Sequence, residues 1–123
     1  MNQTTHNEYQ LEAEYKRWEI LLSSIKHENE FLMLQLSDAL EGNVDKEFIS
    51  LAEYFLNEFI AKDENIREME KDIKAELKFI TNMSNTLPAK ALTKHAKLKD
   101  EITYFEKNFS TLKVQFDRIV AKV

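Results

Sequence analysis

Three histidines, His6, His27 and His95, are the residues of this chain best suited to bind a metal or move a proton. Metal sites inside helical bundles commonly use Glu-x-x-His, because that spacing puts both ligands on one helix face. The residues three before the histidines are Gln3, Ser24 and Leu92, so that pattern is absent. His-Glu-x-x-His is absent too, since His27-Glu28 continues into Asn29, Glu30 and Phe31. If the chain folds into hairpins, His6 and His95 come to the same end, with Glu76 within about a turn of that level. Two imidazoles and a carboxylate can hold zinc, so His6, His95 and Glu76 are the candidate ligands should a metal bind. The simpler expectation is that His95 closes one end of a core, His6 sits on a loose terminus, and no cofactor is used. His27 falls off the apolar pattern and is expected in solvent.

Other chemistries lack their parts. There is no cysteine, which excludes thiol catalysis, thiolate metal sites and disulfides. The one serine–histidine pair at helix-neighbour spacing is Ser24 and His27, with no third member to orient it. A single glycine, Gly42, cannot build a glycine-rich phosphate loop. The expectation is that the protein is not an enzyme.

Charge is unevenly spread about a net value of -5. Residues up to Asp45 carry nine acidic and three basic side chains, whereas eight basic and four acidic ones lie from Lys90 onward. The lysine-rich third segment, with Lys90, Lys94, Lys97, Lys99, Lys107, Lys113 and Arg118, raises the alternative of electrostatic binding to nucleic acid or anionic membrane. Against it, the cations are interspersed with Asp100, Glu101, Glu106 and Asp117, and only one is the arginine that usually reads bases. Attraction between helices of one bundle is the preferred account.

The elements that must position these residues read as three long helices. Thr5-His6-Asn7-Glu8 has capping-box spacing, followed by an apolar stripe of Leu11, Tyr15, Trp18, Leu22, Ile25, Leu32, Leu36 and Ala39. Gly42 ends it, and Asn43 can cap the next helix. That helix carries Phe48, Ala52, Phe55, Phe59, Ile66, Met69, Ile73, Ile80 and Met83, interrupted by Lys62 and Glu76. Asn85 or Thr86 can cap the third, with Pro88 in its first turn. Its stripe is Ala91, His95, Leu98, Ile102, Phe105, Phe109, Leu112, Phe116, Ile119 and Val123. The expected bounds are about 6–41, 44–84 and 88–121, in one domain over 1–123.

At roughly 34–40 residues each, these helices span ~50–60 Å. Short connections between such helices make them antiparallel neighbours. The expected fold is all-α: an antiparallel up-down-up three-helix bundle with long coiled-coil-like helices. In shape it resembles the spectrin-like architecture, with Trp18 on the seam of the first helix. Counting from Gly42 and Pro88 puts Trp18 level with Ile66 and Phe109. Asn29 takes an a position opposite Phe55, where a buried amide fixes register.

The Gly42 end is richer in apolar residues than one seam requires. Phe31 and Leu34 lie off the first stripe, and Leu56 and Ile60, like Ile49, off the second. They are either the flanks of a broad internal face or a second surface for self-association or a partner helix. Phe31, Leu34, Leu56 and Ile60 are the expected partner-binding residues of a non-enzymatic interaction or scaffold protein. The partner would be a protein, either a second copy in a homodimer or another helical chain. No apolar stretch follows a basic start, and none is long enough to span a bilayer, so a cytoplasmic setting is expected.

Overall fold

A computed structural model describes residues 8–82 and 87–121 of the chain. Three α-helices, α1 (Glu8–Leu40), α2 (Lys46–Thr81) and α3 (Ala89–Val120), account for nearly all of them, and no strand occurs among the described residues. Each helix forms because its apolar residues recur three and four apart, so one stripe can be buried along its length. Leu11, Tyr15, Leu22, Ile25, Leu32 and Leu36 bury from α1. They meet Phe48, Phe55, Phe59, Ile66, Met69, Ile73 and Ile80 from α2, and Leu98, Ile102, Phe105, Phe109, Leu112 and Phe116 from α3. Trp18, Ala39 and Ile119 from the same stripes are only partly covered. Met83 and Val123 lie outside the described residues, as do the caps proposed at Thr5, Asn85 and Thr86.

The first connection turns on Gly42, at φ 75°. A side chain there would meet no neighbour within 4 Å, so the preference for glycine comes from the backbone alone. The cap of α2 is Asp45, not Asn43. Asp45 Oδ1 accepts from the Glu47 N–H at 3.1 Å, while Asn43 Oδ1 accepts from the Asp45 N–H at 2.9 Å. Asn43 thus shapes the turn and Asp45 starts the helix, and Glu47 sits in the first turn near the positive end of the helix dipole. At α3, Pro88 is the cap residue itself, in extended conformation with no side-chain cap bond.

Contacts between helices define their relative levels. Asn29 meets α2 at Phe59, Phe55 and Phe59 pack edge-on to Phe116, Lys94 pairs with Asp72, and Lys113 pairs with Glu28. Two expected registers are corrected. Asn29 bonds Phe59, one turn beyond Phe55, because the turn runs on to Asp45 and its centre lies past Gly42. The Trp18 ring stacks on His95, far before Phe109 in α3. Counting from Pro88 sets Asp72 level with Tyr104, whereas Asp72 pairs with Lys94.

Candidate functional site

Four places in this fold gather side chains that could bind or react. The first is the outward surface of α1 near Gly42. At about 100° per residue, Phe31 and Leu34 fall on the side of α1 away from the Leu22–Asn29–Leu36 seam. They are 59% and 65% exposed. Leu56 and Ile60 on α2 are less open, at 36% and 42%. The Asn29–Phe59 contact sets these two beside the same level of α1. Glu30, Asp38 and Glu41 are exposed close to Phe31 and Leu34 in the chain, with no ion pair among the described residues.

The second is Asn29 itself, fully buried. Its Nδ2 donates to the Phe59 carbonyl oxygen at 2.9 Å. A helical carbonyl has two lone pairs, so it can accept this bond without giving up the one inside α2. Asn29 Oδ1 is buried without a hydrogen-bond partner among the described residues.

The third is a polar and aromatic cluster where the start of α1 meets α3. His95 is 4% exposed and its ring stacks on Trp18, with centroids 5.0 Å apart. Tyr15 presents edge-on to both rings, at 5.3 Å from Trp18 and 5.4 Å from His95. His95 Nε2 lies 2.7 Å from Glu14 Oε1, close enough for charge pairing once the imidazole carries its second proton. Tyr15 is fully buried, and its hydroxyl has no hydrogen-bond partner among the described residues. Burial pushes this phenol well above its usual range, and the negative charges of Glu76 and Glu14 push it further.

This arrangement bears on the metal candidates. Glu76 belongs to the surroundings of Tyr15, and His95 faces Glu14. His6 lies outside the described residues. Among the described residues, no group of three or more histidine or carboxylate side chains could hold an ion. The cluster escaped the sequence because its members come from different helices. A usable signal was present nonetheless: Tyr15, Trp18 and His95 all lie on apolar stripes, and a histidine on such a stripe needs a partner.

The fourth is a groove of about 650 Å³ between α2 and α3, floored by Ala75, Phe79 and Ala91 and edged by Lys90, Lys94 and Lys97. Phe79 is 42% exposed there. Lys94 stands 3.9 Å from Asp72, whereas Lys90 and Lys97 have no ion pair among the described residues. Elsewhere, exposed His27 approaches the Ser23 carbonyl oxygen through Nδ1 at 2.9 Å. Lys62 keeps a largely covered side chain and reaches Glu58 at 3.8 Å, while Asp63 accepts from Arg67 at 2.7 Å. No described helix is long and apolar enough to cross a membrane. Comparison with protein-family models, curated proteins and solved structures finds no match for the chain.

Proposed function

We propose that this protein is a non-enzymatic helical interaction or scaffold protein that associates with copies of itself through the surface near Gly42. The carrying observation is the exposure of Phe31 and Leu34 on the side of α1 turned away from the core. Large apolar side chains grouped in this way mark contact surfaces more often than chance. Leu56 and Ile60 extend the contact at the same level. Asn29 holds the helices in register by its bond to the Phe59 carbonyl, at some cost in stability.

The proposed framework is an antiparallel up-down-up bundle with coiled-coil packing. Asn29 with Phe59 and Glu28 with Lys113 bring one level of all three helices together. Glu14 with His95 and Asp72 with Lys94 define a second level, at which α1 and α3 have moved back along the chain and α2 forward. Absence of cysteine supports a cytoplasmic setting. The alternative, electrostatic binding through α3, has less support, because Lys94 and Lys113 are drawn to Asp72 and Glu28.

Sedimentation equilibrium across a concentration series tests the reading. The wild-type chain should grow in mass with concentration, and Leu34→Glu should return it to a monomer. A wild-type chain that stays monomeric at the highest concentration overturns self-association.

A further inference from the structure

We infer that association is head to tail: the acidic, apolar outer face of α1 in one copy docks in the lysine-edged α2/α3 groove of the next. This rests on the self-association reading and names the surface that receives Phe31 and Leu34.

Each surface has what the other lacks. The head offers two exposed apolar side chains, Phe31 and Leu34, among the exposed acids Glu30, Asp38 and Glu41. The tail offers an apolar floor of Ala75, Phe79 and Ala91 beside Lys90, Lys94 and Lys97, three cations against the one carboxylate of the lining, Glu76. Among the described residues, the three head acids and two tail lysines, Lys90 and Lys97, have no ion pair within their own chain. A helix that lays a few apolar anchors into a groove, with charges closing the rim, is a familiar mode of protein recognition. Dimensions agree: Lys90 to Lys97 spans about 10 Å along α3, and Glu30 to Asp38 about 12 Å along α1.

The head cannot reach the tail of its own molecule. Phe31 and Leu34 point away from the core, at the level of Phe59, whereas the groove lies by Ala75 and Phe79, several turns along α2. A second copy is therefore the occupant that carries the matching charge and apolar residues. Because the two patches differ, the contact is heterologous: each copy retains a free head or tail, and growth proceeds past the dimer unless a ring closes.

Charge exchange tests this in the full chain. The tail variant is Lys90→Glu/Lys97→Glu, and the head variant is Glu30→Lys/Asp38→Lys. All four positions are exposed, so helical circular dichroism, and the thermal midpoint at dilutions where the wild type is monomeric, should match wild type. Alone, each variant should associate at least about tenfold more weakly than wild type, since like charges then face each other. Mixed together, the acidic head of the tail variant meets the lysine groove of the head variant, and the reversed head of the one meets the reversed groove of the other, so the mixture should recover the association that each variant lacks alone. A chain carrying all four substitutions should again assemble beyond the dimer. A wild-type chain that associates while the tail variant associates equally well overturns the head-to-tail contact and leaves self-association standing. A wild-type chain that remains monomeric overturns both. Wild-type assembly that stops at a dimer, with no complex in the mixture, shows a like-to-like contact and overturns this inference alone.

Discussion

Tyr15 sets the sharpest expectation for a single residue. Its ring packs well against Trp18 and His95, but its hydroxyl is buried without a hydrogen-bond partner among the described residues. Leaving a buried polar group unpaired costs on the order of 1–3 kcal/mol. Tyr15→Phe keeps the ring and removes the hydroxyl, so it should raise stability by about 1 kcal/mol in urea denaturation at neutral pH. The direction of the phenol's shift adds a second expectation. The folded phenol holds its proton above the ordinary value of 10.0, while the unfolded one releases it near that value. Below pH 10 both states are protonated and the group has no effect on pH dependence. Above it the unfolded state gains by ionising, so stability should fall as pH rises, and less steeply in Tyr15→Phe. Equal alkaline slopes in the two proteins would contradict this picture of Tyr15. Asn29 differs, because its amide has one good bond, to Phe59. Asn29→Leu should raise the urea midpoint while weakening the preference for one helix register, visible as broadened amide resonances. A lowered midpoint would mean that the bond outweighs the burial of its unpaired oxygen.

At the scale of elements, helix ends offer the clean tests. Gly42 occupies the left-handed region, where an added methyl meets no neighbour but the backbone is strained. Gly42→Ala should therefore lower stability by about 1 kcal/mol without altering the helices. Asp45→Ala removes the side-chain bond to the Glu47 N–H and should lower it by about 1 kcal/mol as well. An unchanged denaturation midpoint for Asp45→Ala would argue that Asn43 takes over as cap. The helices and their buried stripes were legible in the sequence because spacing of three and four is a property of one helix alone. What connects them was less legible. The partner of Asn29 was misjudged by one turn, since the count began from Gly42 while the cap proved to be Asp45. The pairing of Glu14 with His95 could not be read at all, because it depends on how far α1 slides along α3. The openness of Phe31 and Leu34 was equally hidden: an apolar residue off the main stripe can be a covered flank or a bare surface, and only neighbouring helices decide.

For the whole molecule, the decisive property is that opposite charges and apolar side chains remain uncovered at separate places. If copies associate only when folded, mass action stabilises the folded state as protein concentration rises. The thermal midpoint of the wild-type chain should climb with concentration, and that of Leu34→Glu should not. Added salt should weaken the association, since the rim charges are exposed and the screening distance falls to about 10 Å at 0.1 M. Salt-independent association would assign the contact to its apolar residues alone.

The lone tryptophan gives this chain a built-in optical gauge. Its indole lies on α1, while the ring stacked against it belongs to α3. Emission therefore follows one event, the seating of the third helix on the first, and is blind to fraying at the Gly42 turn. Circular dichroism counts helix wherever it persists. Following both signals through one unfolding transition would tell whether α3 leaves a surviving α1–α2 pair or all three helices melt together.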